Sequence, residues 1–350
     1  MKRLFVCLLC LAACGDDDAM LGGDDAGTDA TPRPDAGPLE APMSLAETGL
    51  WSDFAAEELA EGVAAYEVNY QLWADGATKR RWIYLPPDET IDTSDMDFWE
   101  YPVGTKIWKE FSVGETRVET RLLWKVADGE DWIAMPYVWD EERTEALADR
   151  LGEEDAVGTD HDVPNIGMCG TCHRRQPDWV LGFTAMQLDH DMDGANLETL
   201  VADDRLSDPP AGASAPFFPL EFADEDETAA GALGYLHGNC GGCHNARSDV
   251  LDSTPVQLRL EVDKLGSVEE TPTYLTTVGQ EEMAEQGQIG GDVTAVIEPG
   301  MRDASAVWVR MGARGEQSNI QMPPLATDEV DMDGREAVGL WIDEVVGPPK

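Results

Sequence analysis

Between residues 48 and 150 the hydrophobic positions come in short runs of aromatic and β-branched residues. The runs are YEVNYQLW, KRRWIYL, TKIWKEFSV, TRVETRLLWKV and DWIAMPYVWD, separated by polar sequences such as LPPDET and VADGED. Runs of this kind, bounded by Gly, Pro and Asp, are typical of strands joined by turns. The pattern predicts an antiparallel, sandwich-like β domain over residues 48–150, with eight of the eleven tryptophans in its core.

After residue 150 the spacing becomes helical. In the closing segment DMDGREAVGLWIDEVV, apolar residues recur three and four positions apart, which predicts a helix that starts near Asp333 and buries Ala337, Leu340, Trp341, Ile342 and Val345. The interval VQLRLEV, at residues 256–262, alternates as a strand does and predicts an inserted β element. The expected fold class is α+β, with the β domain followed by mainly α-helical segments.

The N-terminal residues are unlike the rest of the chain. Two cations precede an apolar run that ends at Ala13, too short to span a bilayer, which predicts a signal peptide over residues 1–13. The end of this run, LAAC, resembles the lipobox of bacterial lipoproteins, and the resemblance implies a lipidated Cys14. Gly15 stands where some bacteria use an aspartate for inner-membrane retention. The expected location is therefore the cell envelope, on a lipid anchor at the outer membrane.

Residues 14–47 are rich in Asp, Gly and Pro and almost free of large apolar side chains, which predicts a disordered acidic tether. The whole chain has 70 acidic and 24 basic residues and a formal charge of −46. This charge repels phosphates and excludes nucleic acid as a partner. It favours redox protein partners with a basic or neutral surface, and the lipid anchor is the only membrane contact expected.

Four of the seven cysteines form two pairs, and a histidine follows each pair. The two sequences are CGTCH at residues 169–173 and CGGCH at residues 240–244. C-x-x-C-H is the signature of c-type haem attachment. We therefore expect two haem c groups, bound covalently through Cys169, Cys172, Cys240 and Cys243.

The histidine after each pair, His173 in the first and His244 in the second, is the expected iron ligand. One helical turn presents both sulfurs to the two vinyl groups of a haem, and the next residue lies under the iron. Local disulfides, a thioredoxin-like redox pair and a four-cysteine zinc site are the other interpretations of paired cysteines. None of these three uses the adjacent histidine.

The second pair stands in a segment that is similar to the cytochrome c superfamily. The sequences that carry the resemblance are LGYLHGNCGGCHN, VIEPGMRDASAVWVRMG, QMPPLAT and the closing DMDGREAVGLWIDEVV, in that order. The resemblance implies a haem domain over residues 226–350, with a helix that carries Cys240, Cys243 and His244 and a C-terminal helix packed across it. It also implies a loop that delivers Met322 to the iron as the sixth ligand. The two prolines after Met322 suit such a loop because they hold the chain extended. Met311 is the second candidate.

Three further sequences, LWADGATKRRWIYLP, YPVGTKIWKEF and ETRLLW, resemble uncharacterised bacterial proteins of a two-haem c family. This likeness extends over most of residues 48–350. It adds context for the fold and implies no particular activity.

The first haem segment, residues 160–225, has an evident fifth ligand and no evident sixth. The candidates are His161, Met186, His190 and Met192, or an open position. Around His190 the sequence DHDMDG begins like a calcium loop, with Asp189, Asp191, Asp193 and Gly194, but Leu200 replaces the glutamate expected at position twelve. Calcium and an acidic surface turn are the two interpretations of that stretch.

The sequence favours an electron-transfer protein over a catalyst, with the haem iron carrying single electrons. The alternative is an enzyme similar to dihaem cytochrome c peroxidases, in which the first haem is open to peroxide. In a third interpretation the β domain binds a polymer or protein partner. The sequence assigns no catalytic residue.

Overall fold

The computed structural model describes residues 40–129, 131–212, 214–281, 289, 292–325, 327–345 and 347. The predicted signal peptide, Cys14 and most of the predicted tether lie outside the described residues. Within these ranges the chain has eight strands in antiparallel sheets and seven α-helices. The mixture of antiparallel strands and helices expected from the sequence is confirmed.

The strands make one large sheet and one small ribbon. In the ribbon, β1 (Trp51–Asp53) pairs with β2 (Glu58–Leu59). The large sheet is an antiparallel meander in chain order, formed by β3 (Val63–Ala65), β4 (Thr78–Tyr84), β5 (Lys106–Val113), β6 (Thr116–Lys125), β7 (Trp132–Trp139) and β8 (Ala146–Ala148). Each aromatic run of the sequence supplies a strand or a segment beside one.

The register of the sheet gives it two apolar faces. On one face, Trp82, Trp108, Leu122 and Met135 stand directly opposite one another on β4 to β7. They pack in one core with Leu45, Leu50 and Trp51, so the segment before β2 covers this face. The folded part of the chain thus includes Leu45, which is fully buried and lies within the predicted tether.

The opposite face packs against the segment that follows the first cysteine pair. Ile83, Ile107 and Leu123 share a core with Val180 and Phe183. The link is polar as well as apolar, because the buried carboxylate of Asp178 accepts hydrogen bonds from three groups: Tyr101 N at 2.6 Å, Lys125 Nζ at 2.7 Å and Trp132 Nε1 at 2.7 Å. The sheet and this segment therefore form one packed unit.

The helices lie after the sheet in the chain. They are α1 (Ile166–His173), α2 (Ala185–Leu188), α3 (Leu197–Ala202), α4 (Glu227–Asn239), α5 (Pro272–Thr277), α6 (Ala306–Gly312) and α7 (Met332–Glu344). None of the described helices is both long and apolar enough to cross a bilayer. The two longest, α4 and α7, pack against each other in a core that includes Leu233, Leu236, Trp341 and Ile342.

Two details differ from the sequence prediction. Leu340 is 46% exposed, and Val338 is buried in its place, because the buried face of α7 follows Gly334, Val338 and Trp341. The close packing of α4 requires a glycine at position 334, where the Tyr235 ring occupies the space of a side chain.

Residues 256–262 form no strand. The alternate apolar side chains of Val256, Leu258 and Leu260 are buried in the core that α4 and α7 share. The backbone N–H groups donate to several different partners and not to a neighbouring strand. Gln257 donates to Thr276 Oγ1, Leu258 to His244 O, Leu260 to His237 Nδ1 and Val262 to the carboxylate of Asp97. Two of these hydrogen bonds hold the segment beside His237 and His244.

We expect Asp178→Ala to lower the free energy of unfolding by about 3–5 kcal/mol, because it leaves the ammonium group of Lys125 buried without a counter-charge. Asp249→Ala is the matched control. Its carboxylate is exposed and forms a surface ion pair with Arg175, so its loss costs less than about 1 kcal/mol. Denaturant unfolding of the two variants measures the difference, and equal losses would contradict the role given to Asp178.

Candidate functional site

Both histidine motifs open into a single cavity of about 940 Å³. This volume lies at the upper end of the range of about 300–1,000 Å³ that is usual for small-molecule sites. The cavity is bordered by every sequence-predicted site residue of the described chain: Cys169, Cys172, His173, Cys240, Cys243, His244 and Met322. Residues separated by about 70 positions in the sequence therefore share one site.

The first motif forms most of α1. The side chain of Asn165 caps the helix by accepting from Gly167 N at 3.0 Å and Met168 N at 3.1 Å. At the other end of the helix, His173 Nδ1 lies 2.5 Å from the carbonyl oxygen of Trp179. A carbonyl can only accept, so Nδ1 carries the proton and Nε2 keeps its lone pair.

The second motif follows α4 as a single turn. The amides of Cys243 and His244 donate to Cys240 O at 3.0 and 2.9 Å. His244 Nδ1 lies 3.2 Å from the carbonyl oxygen of Val256. Both motif histidines are thus held in the tautomer that leaves Nε2 free, which is the arrangement that metal-binding histidines use.

Burial keeps both imidazoles neutral. It lowers the pKa of His173 to about 4 and holds the pKa of His244 below its ordinary value. Burial also raises the pKa of the Cys240 thiol to about 12. A neutral imidazole is the form that binds a metal ion.

The two motifs touch. The thiols of Cys172 and Cys243 lie within hydrogen-bonding distance of each other. The hydrogen bond between them is directional: a Cys243 thiol donor favours the Cys172 thiolate and lowers its pKa, and the pKa of Cys243 rises correspondingly. Covalent groups bound to Cys172 and Cys243 would therefore be attached at adjacent sulfur atoms.

Two amides fasten the contact between the motifs. The side chain of Asn245, fully buried, donates to Gly241 O at 3.1 Å, to Gly242 O at 3.0 Å and to Arg175 O at 3.4 Å. The Gln176 amide donates to Gly242 O and accepts from Arg259 at 3.0 Å. These hydrogen bonds fix one motif against the other.

The two methionine candidates for the second motif both border the cavity. Met322 lies in the loop after α6, and its amide donates to Arg310 O at 3.1 Å. Met311 is buried in the core of the α4–α7 unit. Pro323 and Pro324 also border the cavity, so the whole Met-Pro-Pro sequence faces the site.

The four candidates for the sixth position at the first motif are engaged elsewhere or lie away from the cavity. Met186 is in the core beside α4, and Met192 is 37% exposed; neither borders the cavity. His190 uses both ring nitrogens, with Nε2 3.1 Å from Glu67 O and Nδ1 accepting from Met192 N at 3.2 Å. His161 borders the cavity, but its Nε2 lies 2.7 Å from Glu119 Oε1.

The acidic stretch at the calcium-like sequence has a structural use. Asp189 is buried, and its carboxylate accepts from Phe217 N and Phe218 N, each at 2.7 Å. The side chains of Asp191 and Asp193 are exposed. Among the residues that the structure describes, no group of three or more His, Cys, Asp or Glu side chains is arranged around a single ion.

Sequence reasoning did not identify two features of the cavity wall. One is His237, whose Nδ1 accepts from Leu260 N at 3.0 Å, so that its proton lies on Nε2, the opposite tautomer to that of the motif histidines. Burial lowers its pKa to about 3. The other is a set of cations on the sheet: Arg81, Lys109 and Arg121. These three cations lie on three different strands, so only the register between the strands brings them together.

Comparison of the chain with known protein families, curated proteins and solved structures gives no match. The arguments about this site therefore rest on its own residues.

We expect Gly241→Ala to destabilise the contact between the motifs by about 1–3 kcal/mol, since the new Cβ would lie 2.7 Å from His237 O and 3.0 Å from Arg259 Cα. Gly231→Ala, in α4, is the control. Its Cβ meets nothing within 4 Å, and alanine favours a helix over glycine by up to about 1 kcal/mol. The unfolding temperature should fall in Gly241→Ala and rise in Gly231→Ala. A shift in the same direction for both variants would refute the close approach of the backbone at Gly241.

Proposed function

We propose that the protein is an exported two-haem c-type cytochrome that transfers single electrons at the cell envelope. The observation that carries the proposal is the matched pair of hydrogen bonds from His173 Nδ1 and His244 Nδ1 to backbone carbonyls. Each C-x-x-C-H motif thereby offers two sulfurs and one free imidazole nitrogen to the same cavity. This donor set fits a covalently attached haem, and it uses the histidines that disulfides or zinc would leave without a role.

Each side chain has a definite part in this proposal. Cys169 and Cys172 would attach the first haem and Cys240 and Cys243 the second, while His173 and His244 would bind the two irons. Met322 would be the second protein ligand of the iron at the Cys240–His244 motif. The bound haem supplies the one-electron couple of its iron. The packing of α7 on α4 agrees with the helix arrangement that the resemblance to cytochromes c implies.

The protein environment would tune the iron through burial. The cavity wall includes apolar side chains from the sheet and from both sides of the second motif, such as Ile107, Leu123, Val256, Leu258 and Val296. An apolar wall excludes water, and with a methionine ligand it raises the reduction potential. The second haem would therefore be the stronger oxidant of the two.

The contact between Cys172 and Cys243 favours electron exchange between the two centres. Haems attached at Cys172 and Cys243 would be bound through neighbouring sulfurs, and an electron that enters at one motif would have a short path to the other. Entry and exit would involve partners with basic or neutral surfaces, because the chain itself has a charge of −46. Lipid at Cys14 would keep the protein at the outer membrane.

An enzyme similar to dihaem peroxidases is a second candidate, favoured by the first motif. Neither Met186 nor Met192 borders the cavity, and His190 is fully engaged. In addition, Arg121 and His161 border the cavity and are linked through the buried carboxylate of Glu119. Polar groups of this kind could move a proton beside an open iron.

Reduction potentials test the assignment of Met322. In the Met322→Ala variant one of the two potentials should fall, by part of the span of about 0.8 V that axial ligands control. Met311→Ala, a change to the second methionine of the same cavity, should leave both potentials close to those of the unmodified protein. A fall in Met311→Ala and none in Met322→Ala would reverse the assignment.

Carbon monoxide separates the two functions. An electron-transfer protein with two six-coordinate irons should keep its reduced visible spectrum when carbon monoxide is added. The alternative result is a spectral change that corresponds to one haem in the unmodified protein and to two haems in Met322→Ala. This result would favour the enzyme and locate its open iron at His173.

A further inference from the structure

Three cations stand directly opposite one another on adjacent strands of the large sheet. Arg81 of β4 pairs with Lys109 of β5, and Lys109 pairs with Arg121 of β6. Residues paired in this way share a face, and all three border the cavity. Like charges directly opposite each other destabilise a sheet. These three residues, called the cation row below, therefore need a compensating negative charge.

The acidic neighbours supply only part of that charge. The Glu119 carboxylate binds Arg121 through two hydrogen bonds, of 2.9 and 2.5 Å, but it also binds His161. The pair between Arg81 and Glu67 is 3.7 Å long, and the Glu67 side chain is 47% exposed to water. The acidic residues that border the cavity, Asp75, Asp162, Asp249 and Asp328, all lie outside the strands that carry the three cations.

Two members of the row have unused donors. The Arg81 side chain is 3% exposed, and its NH1 group is buried without a hydrogen-bond partner. The Lys109 side chain makes no hydrogen bond or ion pair with any residue that the structure describes. Lysines of the same strands behave differently: Lys79 donates to Leu72 O at 2.6 Å and Lys106 to Thr48 O at 2.7 Å. A buried charged donor without a partner, such as Arg81 NH1, destabilises the fold because it has lost its hydrogen bonds to water.

The cation row lies near the first motif. The charges of Lys109 and Arg121 both act on the His173 imidazole, and the charge of Arg121 acts on the Cys169 and Cys172 thiols. Since all these groups border the same cavity, an anion bound to the row would lie beside whatever occupies the first motif.

We propose that Arg81, Lys109 and Arg121 form a binding site for an anionic oxygen group at the first motif. The guanidinium and ammonium donors suit a carboxylate or a small inorganic oxyanion, to which they make short charge-assisted hydrogen bonds. Such an anion can come from two sources: the carboxylates of a porphyrin attached at Cys169 and Cys172, or a free oxyanion that enters the cavity. With a porphyrin as the occupant of the motif, the inference rests on the proposed function.

The test uses the mature holoprotein and two variants, Lys109→Met and Lys106→Met. Lys106, the control residue, lies on β5 like Lys109, and its ammonium group points to the opposite face of the sheet, where it donates to Thr48 O. The haem content is measured first, from the reduced spectrum, and it bears on the proposed function alone. Thermal unfolding and visible spectra are then recorded with increasing nitrite as the probe anion.

Two results support the cation row and identify the source. If the anion is free, nitrite gives a saturable spectral change and raises the unfolding temperature, and its dissociation constant increases about tenfold or more in Lys109→Met but not in Lys106→Met. If the porphyrin supplies the anion, nitrite has no effect and Lys109→Met unfolds at a lower temperature than the unmodified protein.

The opposite outcome overturns the inference. In this outcome the Lys109→Met protein contains two haems and unfolds at or above the temperature of the unmodified protein. Nitrite changes neither the visible spectrum nor the unfolding temperature of the unmodified protein or of the variant. Lys109 would then have no anionic partner. Removal of a cation without a counter-charge would then have stabilised the fold or left its stability unchanged.

Discussion

The site depends on the contact between two short motifs that lie far apart in the chain, one in α1 and one in the turn after α4. Cys172 and Cys243 meet because the Asn245 amide and the Gln176 amide tie the backbones of the two motifs together. Gly241 has no room for a side chain at this contact. If the motifs were separated, the chain would have two independent sites, and the single cavity would not exist. The proposed exchange of electrons between two centres follows from this one contact.

The sheet contributes more than a scaffold for the motifs. Its two faces have different tasks: the face with Trp82 and Trp108 is a closed core, whereas the face with Ile107 and Lys109 is a wall of the cavity. Asp178 joins that wall to the segment behind the first motif. Residues from the β-rich part of the chain therefore determine the polarity around the first motif, and they explain why its surroundings differ from those of the second.

The sequence predicted the parts of this structure that have a local cause. Aromatic runs with turn residues between them gave the strands, and the C-x-x-C-H spacing brought the candidate ligands to notice. Where a pattern had a tertiary cause, prediction was wrong. The alternate apolar residues of 256–262 are buried in the core of α4 and α7 without forming a strand, and Leu340 is exposed because Gly334 sets the buried face of α7. The cation row could not be foreseen, since it depends on the register between strands.

The most direct test of the account is mass spectrometry of peptides from the mature protein, produced in a host that attaches haem c to exported chains. Peptides that contain residues 169–173 and 240–244 should each carry one covalently bound haem. Peptides with free thiols, or joined by a disulfide between Cys172 and Cys243, would contradict the assignment of both motifs.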